Sequence, residues 1–151
     1  MVYETSLEPE RVDRDWVWRM LSVEAYWLRW RTREDVERQL EGAWRLAGVY
    51  DLGSGAQVGF ARAISDGVAL AYLTDVIVES GHRGQGIGKA LVAAMVGDEA
   101  GSRLQWMLHT TDAHGLYAQY GFQAPDHRLM VRPAPLRAGS EAVPGPDPHR
   151  A

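Results

Sequence analysis

The chain has 151 residues, of which 46% are hydrophobic and 24% charged, and its formal net charge is -4. This length suits one compact domain with a single core, and the composition is typical of a folded globular protein. Because the sequence has no cysteine, disulfides, thiolate nucleophiles and cysteine-based zinc sites are excluded. The negative net charge gives no reason to expect nucleic-acid binding, which normally needs a basic face.

The two ends of the chain bear on localisation and domain organisation. The first residues have neither the basic start nor the apolar stretch of a secretion signal, and no apolar run is long enough to cross a bilayer. We therefore expect a cytoplasmic protein that does not bind membranes. Five of the seven prolines fall at or after Pro133, in a stretch without apolar periodicity. The sequence thus predicts one folded domain over residues 1–132 and a disordered Pro-rich tail over residues 133–151.

Two amphipathic helices are predicted near the start of the chain. A first helix over residues 13–25 has apolar residues at helical spacing, namely Trp16, Met20, Val23 and Trp27. A second helix begins after Thr32, which can cap it, and acidic residues in its first turn suit the positive end of a helix. Its apolar stripe consists of Val36, Leu40 and Ala43.

The middle of the chain has strand patterns separated by turn residues. Strands are predicted over residues 2–7, 44–50 and 57–64, the last two joined as an antiparallel hairpin by a glycine-rich loop. A second turn leads into the run 68–78, which is apolar at both odd and even positions. That run predicts a strand buried on both faces.

The C-terminal half alternates helices and strands. A glycine-rich segment is followed by a helix with one apolar face, made of Ile87, Ala90, Leu91, Ala94 and Met95. A strand over residues 104–108, a short helix over 112–120 ended by Gly121 and a last strand over 128–131 follow. A strand–helix–strand crossover in an otherwise antiparallel sheet predicts a mixed α/β (α+β) domain.

The glycine-rich segment carries the strongest functional signal. Residues 83–88 read Arg-Gly-Gln-Gly-Ile-Gly between a predicted strand and a predicted helix, where backbone N–H groups and the helix dipole bind an anion. The Walker pattern is excluded because Gly88-Lys89 is followed by Ala90. The G-x-G-x-x-G dinucleotide pattern is excluded because Lys89 and Leu91 stand where its third glycine is required.

The remaining pattern, Arg83-x-x-Gly86-x-Gly88, resembles motif A of the GNAT superfamily of acetyl-CoA-dependent N-acetyltransferases. A second landmark lies downstream, where Tyr117 is followed four residues later by Gly121-Phe122. Together with the order of elements, the two motifs cover residues 10–131. The alternative, a glycine turn that only tightens a strand–helix junction, leaves the downstream landmark unexplained.

The resemblance implies a mostly antiparallel sheet with helices on both faces and a V-shaped splay between two central strands. It also implies acetyl-CoA as co-substrate. Val76 and Val78 match the strand positions whose backbone pairs with the pantetheine arm. The residues implied around the pyrophosphate are Arg83, Gly84, Gly86, Ile87, Gly88 and Lys89. For Lys89, a solvated helix residue is the alternative interpretation.

Tyr117 matches the position of a family tyrosine whose hydroxyl faces the cofactor sulfur. Because coenzyme A leaves as a thiolate, a nearby O–H group can protonate it or donate a hydrogen bond to it. The resemblance therefore implies that Tyr117 is the catalytic acid. The alternative is a core aromatic residue with its hydroxyl at the edge.

The general base is a separate question, because an ammonium acceptor must lose a proton before its nitrogen attacks. Some family members carry a Glu or His at the positions of Tyr72 and Thr74, and this sequence departs from them there. Asp75 is the only ionisable residue in the run 68–78, which makes it a candidate base or acceptor anchor. Strict alternation puts Asp75 on the face opposite Tyr72, although a bulge could redirect it. The alternative is a buried, hydrogen-bonded structural Asp.

The acceptor side is expected to include aromatic residues. Tyr26 and Trp30 lie in the segment that borders the substrate cleft in the family, and Tyr72 completes the predicted substrate-binding set. These rings could hold a flat or cationic acceptor, whereas core packing is the alternative, favoured for Trp27. Because the histidines are not at metal-ligand spacings, we expect no metal.

The sequence thus predicts an acyltransferase that moves acetyl from acetyl-CoA to a primary amine of a small molecule, directly and within a ternary complex. Two alternatives stay open: an acetyltransferase of protein or peptide amines, and a non-catalytic module that binds acyl-CoA as a sensor. Family members are often dimers, so the resemblance allows a homodimer. Nothing in the sequence identifies the acceptor.

Overall fold

The structure, a computed structural model, describes residues 1–24 and 30–135. Tyr26, Trp27 and the end of the predicted first helix lie outside the described residues, as does the tail from residue 136 onward. Within the described ranges, no helix is long and apolar enough to cross a membrane.

A five-stranded sheet forms the centre of the domain, with its strands side by side in chain order. They are β1 (Tyr3–Ser6), β2 (Arg45–Asp51), β3 (Gln57–Ser65), β4 (Leu70–Val78) and β5 (Gln105–Met107). The first four strands pair antiparallel, and β5 runs parallel to β4. The crossover into an otherwise antiparallel sheet is therefore confirmed.

The strands β4 and β5 pair over only part of their common edge. Residues 70–72 of β4 pair with residues 105–107, and the pairing ends there. Among the described residues, no strand pairs with residues 73–78 on that side. The two strands thus part after Tyr72, as the predicted V-shaped splay requires.

One face of the sheet, the α1 face, is covered by the two N-terminal helices. Helix α1 (Arg14–Arg19) begins at Asp13, whose carboxylate accepts a hydrogen bond of 2.9 Å from the Trp16 N–H, and it continues as a π-helical turn (Met20–Glu24). The wider turn breaks the predicted apolar stripe, so Val23 is 63% exposed, contrary to the prediction, and Leu21 is buried instead.

Helix α2 (Arg33–Glu41) completes the α1 face. The predicted cap at Thr32 is confirmed as a full capping box, in which Thr32 and Asp35 each accept a hydrogen bond from the other's backbone N–H. The core on this face combines helix residues with three residues of the sheet: Val12, Trp16, Val17, Met20, Leu21, Val36, Leu40, Leu46, Phe60 and Ile77.

The opposite face, the α3 face, is covered by α3 (Ile87–Val96), α4 (Glu99–Ser102) and α5 (His114–Ala118). Its core joins the apolar side of α3 to β2, β3 and β4: Ala47, Val49, Val58, Ala61, Ala63, Leu73, Ile87, Leu91, Val92, Met95, Ala113 and Tyr117. Helix α5 is shorter than predicted. Gly121, with φ of 87°, turns the chain after it, and the Phe122 N–H donates to the Tyr117 carbonyl at 3.3 Å.

β4 lies between the two cores, as predicted, because Leu73 packs on the α3 face and Ile77 on the α1 face. From Ala71 to Val78 its residues alternate between buried and half-buried positions, and one edge of the strand borders the gap left by β5. The strand begins at Leu70, later than predicted. The Asp66 carboxylate accepts hydrogen bonds from the N–H groups of residues 68, 69 and 70, which holds the start of the run in the turn.

The predicted last strand over residues 128–131 is wrong, since this stretch forms no strand. Leu129, Met130 and Val131 are 49%, 91% and 60% exposed. Three apolar residues that bury so little surface cannot offset the entropy of ordering them as a strand. The sheet therefore ends at β5 in the described part of the chain.

Candidate active site

The gap beside β4 is the first component of the site. Val76 and Val78, the predicted partners of a pantetheine arm, are half-buried, and their side chains pack against the core of the α3 face. The strand edge that includes them has no pairing partner among the described residues. An open strand edge can pair with an extended ligand through main-chain hydrogen bonds.

The strand leads directly into the glycine turn. After a short 3₁₀ turn (Ser80–His82), Gly84 and Gly86 adopt φ values of 76° and 83°, and Gly86 is the N-cap of α3. A Cβ at either glycine would meet no atom within 4 Å, so the left-handed backbone, rather than lack of space, requires glycine. No side chain caps α3. Its first N–H groups and the positive end of its dipole therefore form an anion-binding arrangement.

The charged residues of the turn, Arg83 and Lys89, are exposed. The Arg83 Nε donates to the Val78 carbonyl at 3.3 Å, which ties the turn back to the end of β4. The Lys89 carbonyl accepts a hydrogen bond of 3.0 Å from the Tyr120 hydroxyl. Because both side chains are exposed, each can reach a phosphate group outside the turn.

The other two predicted cofactor residues, Ile87 and Gly88, contact the core instead. Ile87 is buried so tightly against β3 that a Cβ on Gly59 would lie 2.6 Å from its Cγ2 atom. A Cβ on Gly88 would lie 3.6 Å from Leu116, which places Gly88 between α3 and α5. These two residues can therefore offer an anion only their backbone N–H groups.

Tyr117 lies in the core of the α3 face. It is buried, and its ring meets that of Phe122 edge to face, with 5.7 Å between centroids. Tyr117 in α5 and Phe122 after it thus pack against each other. The acid role of Tyr117 stays a prediction.

Asp75 occupies a β-bulge. Phe60 pairs with Ile77 and Arg62 with Thr74, so β4 has one residue more than β3 across this step. Asp75 itself has φ of 52°, the only positive φ of a non-glycine residue in the described ranges. Backbone strain of this kind is often found at functional sites.

The bulge redirects the Asp75 side chain. Leu73 packs in the core of the α3 face, so Tyr72 and Thr74 point toward the α1 face. Ile77 packs in the core of the α1 face, and Asp75, two residues before it, points the same way. Strict alternation is therefore broken, and Asp75 shares a face with Tyr72.

The Asp75 carboxylate is held by two buried arginines. Arg31 donates through Nη1 and Nη2 at 3.0 and 3.1 Å, and Arg62 donates through Nε at 3.0 Å. Arg31 also donates to the Gln39 side chain at 2.8 Å, which links the pair to α2. Burial alone raises the pKa of Asp75, but the charges and hydrogen bonds of the two arginines outweigh it and hold the pKa below its usual value.

Arg31 and Arg62 were not predicted as members of the site. A signal existed for Arg62, because it is the only charged residue in strand β3, as Asp75 is in β4. Two lone charges of opposite sign in neighbouring strands favour a buried ion pair. Arg31 gave no comparable signal, because it lies in a segment rich in arginine.

A second polar pair stands where β4 and β5 part. The hydroxyl of Tyr72 lies 2.5 Å from Nδ1 of His109, which follows β5, and the two rings are 5.7 Å apart. Burial, and secondarily the negative charge of Asp75, raise the pKa of Tyr72. Tyr72 is half-buried, whereas His109 is exposed. His109 was not predicted as a site residue.

Trp30 lines a cavity of about 460 Å³ together with three residues of α2, Asp35, Arg38 and Gln39. The Arg31 guanidinium lies over its ring, 5.8 Å from the centroid. One face of the indole thus already meets a fixed cation, which disfavours a cationic acceptor on that face. Tyr26, the other predicted aromatic residue of this segment, lies outside the described residues.

Metal binding is the remaining question about the site. In residues 1–24 and 30–135, no group of three or more His, Asp or Glu side chains is arranged to hold a metal ion. The expectation that the protein uses no metal stays a prediction.

Comparisons with known proteins agree with this geometry. The family model of the acetyltransferase (GNAT) domain matches residues 44–124. A GNAT-family protein of Xanthomonas campestris pv. campestris is 36% identical, with 89% of this chain and 95% of that chain covered and a TM-score of 0.80. A comparison with curated proteins gives no match.

More distant structures share the fold. A protein of Deinococcus radiodurans R1 is 22% identical with a TM-score of 0.65, covering 86% of this chain and 88% of its own. Glucosamine-6-phosphate N-acetyltransferase of Arabidopsis thaliana is 14% identical with a TM-score of 0.61, covering 87% and 99%. With the matched domain, the open edge of β4 and the glycine turn before α3, the chain belongs to the GNAT family and is an acetyltransferase.

Proposed function

We propose that this enzyme transfers an acetyl group from acetyl-CoA to a primary amine of a small molecule, directly and within a ternary complex. The observation that carries the proposal is the continuous path from the unpaired edge of β4 into the glycine turn at the start of α3. The pantetheine arm of acetyl-CoA fits the strand edge, and its pyrophosphate fits the glycine turn that follows. Localisation in the cytoplasm and the homodimer stay predictions.

The proposal that acetyl-CoA binds here rests more on backbone groups than on side chains. The edge at Val76 and Val78 offers main-chain groups to the pantetheine amides, and no side chain caps the start of α3 after Gly86. Arg83 and Lys89 are exposed beside the turn and add positive charge for the phosphates.

Tyr117 is proposed as the acid that protonates the departing thiolate of coenzyme A. Its support is its place in α5, on the same face of the sheet as the glycine turn and α3. An O–H group held in a packed position needs little reorganisation when charge develops on the sulfur.

Asp75 is proposed as the residue that positions the acceptor side. Three hydrogen bonds from two arginines and a lowered pKa make its carboxylate a weak proton acceptor. The same contacts join β3, β4 and the segment before α2, and so fix Arg31 beneath Trp30. The alternative of a base is therefore less well supported than that of an anchor.

The size of the acceptor is suggested by the cavity beside Trp30. A volume of about 460 Å³ is within the range of roughly 300–1,000 Å³ that small-molecule pockets have in proteins. Its lining carries one acidic and one basic residue, Asp35 and Arg38, which suits an amine with further polar groups.

The test combines donor binding with a panel of acceptors. We expect acetyl-CoA to bind by calorimetry, and thiol release to require both acetyl-CoA and a primary amine of small size. Thiol release with peptides but not with small amines would favour the protein acetyltransferase. Binding of acetyl-CoA without thiol release across the whole panel would favour the sensor and contradict the proposed function.

A further inference from the structure

We propose that Tyr72 and His109 form the proton relay that deprotonates the acceptor ammonium. This inference rests on the proposed function and assigns the base that the sequence left open. In the relay, the Tyr72 oxygen takes the proton of the acceptor, and His109 takes the proton of Tyr72.

The place of the pair in the fold is the first argument. Tyr72 is the last residue of β4 that pairs with β5, and beyond it the edge of β4 is open. The side chain points toward the α1 face, where Arg31, Asp75 and the cavity beside Trp30 also lie. Tyr117 lies on the opposite face. The pair therefore lies at the apex of the gap, on the side away from the proposed acid.

The hydrogen bond itself is the second argument. The Tyr72 hydroxyl lies 2.5 Å from Nδ1 of His109. The pKa of Tyr72 is raised by burial and by the charge of Asp75, which favours the protonated phenol. The relay assigns the phenol as the donor and Nδ1 as the acceptor. An imidazole that accepts at Nδ1 carries its own proton at Nε2. The phenol oxygen retains lone pairs that can accept a hydrogen bond from an ammonium group.

The step is balanced without another reactant. The acceptor ammonium gives one proton to the Tyr72 oxygen while the phenolic proton moves to Nδ1 of His109. The products are a neutral amine, an intact phenol and an imidazolium. The imidazolium releases its proton to water, because His109 is exposed. Imidazole is the side chain best suited to taking up and releasing a proton near neutral pH.

The charged groups around the pair fit this assignment. From β4 comes Asp75, from β3 Arg62, and from the segment before α2 Arg31, while β5 (Gln105–Met107) contributes no ionisable side chain. Two arginines and one aspartate carry one net positive charge. A second positive charge on this face is least unfavourable where water screens it, as at His109. Asp75 has its carboxylate occupied by the arginines and does not compete for the proton.

The test is the pH dependence of kcat/KM for the best amine of the panel. Wild type is expected to lose activity in acid, because a protonated His109 cannot accept the phenolic proton. Tyr72→Phe and His109→Gln are each expected to lower kcat/KM about a hundredfold. His109→Gln is also expected to remove the acid limb of the pH profile. The double variant is expected to be no slower than either single variant, because the two groups act as one unit. His127→Gln, which changes an exposed histidine outside the site, is the matched control.

Donor binding separates the possible failures. All variants are expected to bind acetyl-CoA as wild type does, since neither side chain belongs to the glycine turn. If wild type turns over an amine and His109→Gln keeps the same rate and acid limb, the relay is wrong while the proposed function stands. If wild type turns over no amine, the proposed function fails and the relay fails with it.

A second measurement is independent of turnover and of variants. The nitrogen chemical shifts of the His109 ring report which nitrogen carries the proton of the neutral form. The relay requires that proton on Nε2, with Nδ1 accepting from Tyr72. A proton on Nδ1 would overturn the relay.

Discussion

The two faces of the sheet present opposite chemistry to the gap between β4 and β5. On the α3 face, the groups proposed to bind the donor are mainly backbone groups, supplied by the open strand edge and by Gly84 and Gly86. On the α1 face, they are charged and polar side chains, centred on Asp75 and its two arginines. One face thus depends on backbone conformation and the other on side-chain identity.

This difference indicates how each face responds to substitution. Apart from the proposed acid Tyr117, the α3 face should keep donor binding after changes of side chain wherever φ is unaffected, because the proposed contacts are made by main-chain atoms. The α1 face should be sensitive to single atoms, because a buried charge without its partner destabilises the folded state. Substitutions on the two faces therefore test this difference.

The largest effect is expected for Asp75→Asn, which removes the charge but keeps a residue that tolerates a positive φ. Arg31 and Arg62 would be left buried without a counter-charge, so the free energy of unfolding should fall by about 3–5 kcal/mol. Urea unfolding measures the loss. The control is Glu99→Gln, which breaks an exposed pair with Arg103 and should leave the midpoint nearly unchanged. Equal midpoints for Asp75→Asn and wild type would contradict the buried network.

The same network predicts a pH dependence of stability. The pKa of Asp75 is lowered in the folded state, so its contribution is fully present above the ordinary carboxyl pKa of about 4 and is lost as the pH falls through the folded value. The difference in unfolding free energy between wild type and Asp75→Asn should therefore be largest at neutral pH and shrink in acid. A difference that grows in acid would contradict a lowered pKa.

Tyr117→Phe is expected to have the next largest effect, and to act on rate rather than on stability. Loss of the proposed acid should lower kcat about a hundredfold while acetyl-CoA binding is retained. Tyr50→Phe is the matched control, because the Tyr50 hydroxyl donates to the Arg11 carbonyl at 2.8 Å, outside the proposed site. Unaltered turnover of Tyr117→Phe with a good acceptor would leave Tyr117 as a core aromatic only.

Gly86→Ala tests the backbone face. Its φ of 83° disfavours a side chain by about 1–2 kcal/mol, and relaxation of the turn should weaken acetyl-CoA binding about tenfold. Gly115→Ala is the control, since Gly115 lies in α5 with no positive φ and no atom within 4 Å of a new Cβ. Calorimetry should show a changed Kd for the first variant alone. Equal Kd values would contradict a role for the left-handed turn.

The smallest effect is expected outside both faces, at Met130. Because this side chain is 91% exposed in a stretch without a strand, Met130→Ser should leave the thermal unfolding midpoint and kcat unchanged. A marked loss of stability would indicate that residues 128–131 pair after all.

Features that depend on neighbouring residues were predictable from the sequence. The cap at Thr32, the hairpin between β2 and β3, and the helix after the glycine segment follow from residue types within a few positions of one another. The motif at Arg83 and the landmark at Tyr117 identified the family for the same reason.

Side-chain contacts between distant residues were not predictable. Arg31 lies 44 positions from Asp75, and Tyr72 lies 37 positions from His109, so neither contact leaves a local pattern. No sequence pattern predicts the bulge that turns Asp75 toward Tyr72, since it arises from the register of two strands. Helix α1 begins as predicted, but its π-helical continuation is wider. The expected apolar stripe is displaced as a result.

The most direct test of the central claim is the fate of the acetyl group. Incubation of wild type with carbon-13-labelled acetyl-CoA and the best small amine, followed by mass spectrometry, measures the label on product and protein. Direct transfer predicts label on the amine nitrogen, one free thiol for each product molecule, and unlabelled protein. Label that stays on the protein, or an amine that gains none while acetyl-CoA binds, would contradict the account.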